Sequence, residues 1–176
     1  ECRGKMLELI KTQELQRVHM ESLALAGYIP MLAELPIVCA QHNVESAVLQ
    51  SRAATMRGAL RPYVSIQARL TEKEERRWCP LVRLNVTVSE IDQCGLQTIA
   101  PTARFIVVPN GVDTRAFRHR DVPEHGIVFV GSPSWQPNRD AMEYFCLEVL
   151  PLIRSSGVGS TVTWVGRAAD AMKAEY

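Results

Sequence analysis

The sequence predicts an α/β protein built on parallel sheets. Short apolar runs such as Pro36-Ile-Val-Cys-Ala and Ile127-Val-Phe-Val-Gly alternate along the chain with longer stretches of helical spacing. Such alternation calls for helical crossovers between parallel strands. With 176 residues, 47% of them apolar, the chain suits one domain or two incomplete ones and is too apolar for a disordered segment.

Helical spacing predicts a short helix over Met6–Thr12, followed by an extended stretch near Leu15–Met20. A helix over Leu23–Leu32 comes next, kinked at Pro30. Pro36–Ala40 reads as a strand buried on both faces. Asn43 stands where a helix N-cap belongs, with Glu45 in the first turn. A loop over Gly58–Pro62 leads into a longer helix ending at Trp78, with apolar positions Ile66, Leu70 and Trp78. Its Glu72/Arg76 spacing supports an i,i+4 ion pair, while Lys73/Arg77 is like-charged. The bland reading of this charge run, a solvated helix face, outweighs a nucleic-acid patch.

Leu84–Val88 alternates as a strand, and Ser89 with Asp92 three residues on forms a variant capping box. Ser89 is therefore read as a cap and not a nucleophile. Phe105–Val108 is the next strand, ended by the turn signal Pro109-Asn110-Gly111. Thr114–His125 is polar and contains a proline, so it reads as a linker. After the strand Ile127–Gly131, Pro137 suits the first position of a helix. Met142, Phe145, Val149 and Ile153 give that helix one apolar stripe, with Pro151 bending its end. Thr161–Gly166 is the last strand, and a further helix is expected to start after it.

The near-balance of 20 basic and 19 acidic residues gives no push toward nucleic acid or an anionic membrane. Five cysteines, none in a CxxC pair, suggest reduced thiols in a cytoplasmic protein, with Cys39 and Cys146 packed in the core. The four histidines show no ligand spacing, so no metal site is expected. The apolar stretch Leu23–Ala40 is interrupted by Pro30, Glu34 and Pro36, which argues against a membrane span and leaves shallow contact as the minor reading.

Ligands of open parallel sheets bind beyond the carboxyl ends of the strands. That rule selects Gln41-His42-Asn43, Ser89-Glu90, Asn110-Gly111, Gly131-Ser132 and Gly166-Arg167. Gly131 and Gly166 would let backbone amides approach a phosphate, although a plain tight turn is the commoner reason for such a glycine. No G-x-G-x-x-G, Walker or G-x-S-x-G sequence occurs. His42, between a buried strand and a helix start, could hydrogen-bond a sugar hydroxyl or leaving group. A structural histidine tied to the backbone is the slightly favoured alternative.

Four segments, in order, resemble the retaining glycosyltransferases of family 4. Pro36-Ile-Val-Cys-Ala-Gln-His-Asn looks like that family's strand ending in a His-Asn or His-Asp pair. Val86-Thr-Val-Ser-Glu is similar to its V-x-V-S-E/D segment, and Val107-Val-Pro-Asn-Gly-Val-Asp followed by Phe117 to its crossing into the second domain. Ile127–Ser132 with Trp135-Gln-Pro-Asn and Glu148-Val-Leu-Pro resembles a branch acting in exopolysaccharide or cell-envelope assembly.

The resemblance implies the GT-B fold, here as parts of two Rossmann-like domains with parallel sheets. Residues 1–108 would be the back of the acceptor-side domain, 109–125 the interdomain crossing and 126–176 the start of the donor-binding domain. It implies sugar transfer from a nucleotide-sugar donor to a glycan or lipid-linked acceptor, with retention, in the cleft between domains, and with neither metal nor cofactor. His42 would sit near the transferred sugar. Gly131, Ser132, Asn138 and Gly166 would lie on the donor side, and Asn110, Gly111 and Asp113 would shape the crossing. Many relatives carry an arginine and a lysine after the strand ending at Gly131, where this chain has Ser132 and the stretch Trp135–Asn138. The family's glycine-rich loop is expected before Glu1 and its paired-glutamate helix after Tyr176, so the chain alone is expected to be inactive. With strands missing from each domain, it is also expected to be oligomeric or prone to aggregate. The resemblance suits a cytoplasmic protein, with peripheral contact at the inner membrane face left open. A non-catalytic α/β scaffold and a nucleotide-sugar epimerase are the alternatives.

Overall fold

The computed structural model describes residues 2–118, 126–157, 159 and 161–167. It is an α/β protein in which every strand pairing is parallel. The chain divides into two compact units, Glu1–Asp113 and Thr114–Tyr176.

The first unit holds a four-stranded sheet in sequence order: β1 (Val18–Met20), β2 (Ile37–Gln41), β3 (Leu84–Thr87) and β4 (Phe105–Val107). Helix α1 (Cys2–Thr12) precedes it, beginning earlier than the apolar spacing predicts. In register, Met20 lies beside Cys39, Cys39 beside Asn85 and Asn85 beside Phe105, so these residues share one face. That face is closed, with Met20, Ile37, Cys39, Gln41, Asn85 and Thr87 all buried. The opposite face is not. Val38, Ala40, Leu84 and Val86 are half-buried and Ile106 is exposed. The expectation that the Pro36–Ala40 strand is buried on both faces is thus corrected, because only one side carries the main core.

The crossover from β1 to β2 is a ten-residue 3₁₀ helix, Leu23–Leu32, an unusual length for that conformation. Ser22 caps it, its Oγ accepting from Ala24 N–H at 3.1 Å. Its buried residues Ala26, Ile29 and Leu32 repeat every three positions. A three-residue turn keeps such a repeat on one face, whereas an α-helix would rotate it away. They pack with Met20, Ile37, Cys39, Trp78 and Val82 as the main core.

Between β2 and β3 runs a helical hairpin, α2 (Glu45–Thr55) and α3 (Leu60–Trp78). Pro62 lies in the first turn of α3, not in the loop, as a residue with no N–H to donate can. The start of α2 also differs from expectation. The N-cap position is Val44, which offers no side-chain oxygen, and Asn43 does not cap. Glu75 of α3 substitutes for it, with Oε1 accepting from Ser46 N–H at 3.1 Å. Its other oxygen, Oε2, is buried without a partner. Further along α3, Arg76 pairs with Glu72 at 2.7 Å as the spacing predicts. Arg77 lies over the Trp78 ring, 4.5 Å from its centroid.

Helix α4 (Glu90–Ile99) begins at Ser89, whose Oγ accepts from Asp92 N–H at 3.1 Å and also bonds the Asp92 carboxylate. The predicted cap is therefore present. The segment after β4 forms no hydrogen-bonded turn at Pro109–Gly111; the turn falls later, at Thr114–Ala116. Of the predicted linker, residues 119–125 lie outside the described residues, as does the helix expected after Gly166.

The second unit pairs β5 (Ile127–Val130) with β6 (Val162–Val165). Phe129 and Trp164 meet edge to face at 5.6 Å. The crossover is one irregular helix: α5 (Gln136–Tyr144), a π turn over Phe145–Val149, then α6 (Leu150–Ser155). Pro137 occupies the second helical position, one later than expected. Pro151 has no N–H for the carbonyl of Leu147, and the wider turn just before it accommodates that loss, with Leu150 N–H reaching back to Phe145 O. The widening also sets the buried face. Met142 and Leu150 are both buried and stand eight residues apart, more than two α turns span. A π turn takes up the excess and brings them into line. Phe145, Val149 and Ile153 complete the stripe as half-buried residues, while Cys146 is only partly buried.

Two predictions follow from the buried polar groups. Burial pushes the Glu75 carboxyl above its ordinary 4.5, hydrogen bonds from Ser46 and Glu45 work the other way, and the Glu45 charge adds a smaller upward push. The folded state therefore holds this proton more tightly than the unfolded chain does. The stability gained is complete below 4.5 and is lost as pH rises through the raised value. Denaturant titrations across pH should show wild type losing stability relative to Glu75→Gln over that window; parallel curves would contradict the assignment. Asn85 is wholly buried, and Asn85→Ala should destabilise the first unit by about 3 kcal/mol, read as a lower denaturant midpoint, because three polar partners lose their bonds.

Candidate functional site

Parallel strands bring the residues that follow them to one edge of each sheet. In the first unit that edge carries Glu21 after β1, His42 after β2 and Ser89 after β3. Glu21 stands between two histidines, its Oε2 lying 3.5 Å from His42 Nε2 and its Oε1 3.6 Å from His19 Nδ1. All three side chains are more than half exposed, so this is an open, polar cluster with no enclosing pocket. The His42 partner is thus a carboxylate and not the backbone. Sequence reasoning missed Glu21, although its place directly after β1 is the signal that selects the other candidates.

Beneath this edge lies a buried polar layer. Gln41 Nε2 donates to Asn85 Oδ1 at 3.2 Å and approaches the sulfurs of Cys39 and Cys79 at 3.5 and 3.8 Å. Asn85 Nδ2 in turn donates to the carbonyls of Cys79 and Arg104 at 2.9 and 3.2 Å. Burial pushes the Cys39 thiol up to about 11, with the Glu21 charge a smaller cause. Burial first, then Cys39 and Glu75, push Cys79 up to about 12. Both therefore remain protonated and inert at neutral pH. Among the described residues, no group of three or more His, Cys, Asp or Glu side chains is placed to hold a metal ion.

In the second unit the edge is made of backbone. Gly131 ends β5 and Gly166 ends β6, and Gly131 N–H donates to Val165 O at 3.0 Å. A Cβ on Gly166 would stand 2.0 Å from Gly131 O, so only glycine fits. Trp164 Nε1–H also donates to that Gly131 carbonyl, at 2.6 Å. Ser132 and Asn138 join the same cluster. Asn138 Nδ2 donates to Ser132 O at 3.0 Å, and Ser132 Oγ lies 3.1 Å from Arg167 O and 2.8 Å from Ser134 Oγ. The four donor-side candidates Gly131, Ser132, Asn138 and Gly166 are therefore neighbours, with Asn138 in the first turn of α5. Asn110, Gly111 and Asp113 follow the carboxyl end of β4 on an exposed irregular segment.

Compared with models of known protein families and with curated proteins, the chain matches none. Among the described residues, no helix is long and apolar enough to cross a membrane.

The close approach of the two strand ends gives a direct prediction. Gly166→Ala forces a side-chain carbon against main chain, which cannot yield as a flexible side chain would. It should destabilise the second unit by about 3 kcal/mol, with Trp164 fluorescence reporting an earlier unfolding transition and the β1–β4 amide signals unmoved.

Proposed function

We propose that this chain is part of a retaining glycosyltransferase that moves a sugar from a nucleotide-sugar donor to a glycan or lipid-linked acceptor. The observation that carries the reading is the glycine platform of the second unit. Two adjacent parallel strands end in Gly131 and Gly166 with no side chain between their backbones, and a helix begins five residues after the first. Bare main chain at that end of a parallel sheet, followed by a helix N-terminus, suits a diphosphate.

The chemistry asks for a stabilised leaving group. The bond from the anomeric carbon to the diphosphate breaks, and donors aimed at the departing oxygens lower the barrier. Amides and hydroxyls of the Ser132 and Gly166 turns would serve there, the Gly131 N–H being held by Val165 O, while Asn138 would hold the Ser132 loop by its existing bond to Ser132 O. His42, paired with Glu21, would orient a sugar hydroxyl on the acceptor side. Asn110, Gly111 and Asp113 would shape the crossing between domains. No metal enters this scheme.

A second reading, a non-catalytic α/β binding module, is favoured by one fact. The Ser132 and Asn138 side chains already bond within the chain, and Ser132 replaces the cation found in many relatives of the resembled family. Two measurements separate the readings. Titrating uridine diphosphate into the labelled chain should shift the amides of Gly131, Ser132 and Gly166 before any others; no shift there removes the donor site. In the full product of the native gene, His42→Ala should slow sugar transfer at least about tenfold. A native product that binds nucleotide sugars but transfers none would establish the binding module instead.

A further inference from the structure

The exposed side of the α2–α3 hairpin has a composition unlike the rest of the chain. From Ser46 to Thr71 there is no acidic residue, while Arg52, Arg57, Arg61 and Arg69 are all present and exposed. Among the described residues, none of these four arginines makes a salt bridge with a carboxylate. The balanced charge of the whole chain hides this local excess.

Apolar side chains accompany the arginines. Tyr63, Ile66 and Leu70 follow the i, i+3, i+7 spacing of one helical stripe, and Leu60 extends it by one turn. They are exposed at 60%, 54%, 48% and 61% respectively. An adjoining stripe of α3, Val64, Ala68, Glu75 and Trp78, is the one buried. Helix α3 is thus apolar along two faces, of which the fold uses one. A shallow depression of about 330 Å³ borders the stripe at Ile66, and a second of about 300 Å³ lies between α2 and α3; both are lined by Arg61, Ser65 and Arg69. Cationic and hydroxyl donors in an open hollow of that size suit a phosphate head group.

We infer that the outer face of α3, with the α2–α3 connection, docks on the surface of an anionic lipid bilayer. The helix would lie in the interfacial plane with Tyr63, Ile66 and Leu70 entering the head-group and acyl boundary. Arginines flanking the stripe can bury their stems while their guanidinium groups stay among the phosphates. Tyr63 has the amphipathic ring favoured at that depth. Charge complementarity selects a bilayer over a neutral partner, because burying four like charges against an apolar surface would be costly. This inference stands on α3 alone and holds whether or not the chain belongs to a glycosyltransferase.

Vesicle flotation of the 176-residue chain tests it, comparing phosphatidylcholine vesicles with vesicles of mixed phosphatidylcholine and phosphatidylglycerol. The chain should float with the anionic vesicles, less so as salt rises, and stay behind with the neutral ones. Arg61→Glu with Arg69→Glu should weaken binding at least about tenfold. Arg61→Gln with Arg69→Gln should weaken it less, and circular dichroism checks that each variant folds. Ile66→Ser with Leu70→Ser should also weaken it. Val128→Ser with Val130→Ser, which alters exposed valines of the second unit, should not. Equal flotation with neutral vesicles, binding to neither kind, or loss in the valine variant would overturn the inference. So would a dimer in light scattering that Ile66→Ser with Leu70→Ser dissolves, since a second copy would then cover the face.

Discussion

The first unit is organised around the side chain of Asn85. It is wholly buried in the second of two central strands, yet it is polar and satisfied on both ends. Its amide nitrogen holds the carbonyl of Cys79 where the long hairpin returns to the sheet, and the carbonyl of Arg104 just before β4. Its oxygen receives Gln41 from β2. One residue thus fixes the arrival of three segments. A hydrophobic side chain would fill the same volume but leave the Cys79 and Arg104 carbonyls and the Gln41 amide without this partner. The inert thiols of Cys39 and Cys79 share this layer, so the core here combines specificity with chemical quietness.

Above that layer the two units solve the same topological problem with different materials. Each gathers post-strand residues at the carboxyl edge of a parallel sheet. In the first unit these are long polar side chains, and Glu21 holds two histidines in a solvated cluster. In the second they are glycines, and the working surface is main chain. The first arrangement is open and solvated. The second is close-packed, since a Cβ on Gly166 would meet the Gly131 carbonyl.

Much of this was legible from local sequence. The strand–helix alternation, the Ser89–Asp92 cap, the Glu72–Arg76 pair and the stripe beginning at Met142 all depend on residues close together in the chain, and the structure has each of them. What escaped depends on distant partners. Nothing near Asn43 reveals that Glu75, on the next helix, takes over the capping of α2. Likewise, no glycine pattern shows that Gly131 and Gly166, 35 positions apart, will touch. The 3₁₀ helix is an intermediate case. Leu23, Ala26, Ile29 and Leu32 repeat strictly every three residues, a period that was present in the sequence but resembles an α-helical pattern over so short a span. For the candidate site, the strand-end rule selected His42 and the glycines, yet Glu21 was passed over although the extended stretch near Leu15–Met20 ends beside it.

The π turn of the second unit has a bearing on how such chains can be compared. A regular helix that presented Met142 and Leu150 on one face would need one residue fewer between them. Position-by-position matching of this segment to an uninterrupted helix would therefore be in phase before Phe145 and out of phase after Val149. The three-dimensional faces would still correspond. Here equivalence is a matter of angle around the helix axis and not of ordinal position in the chain.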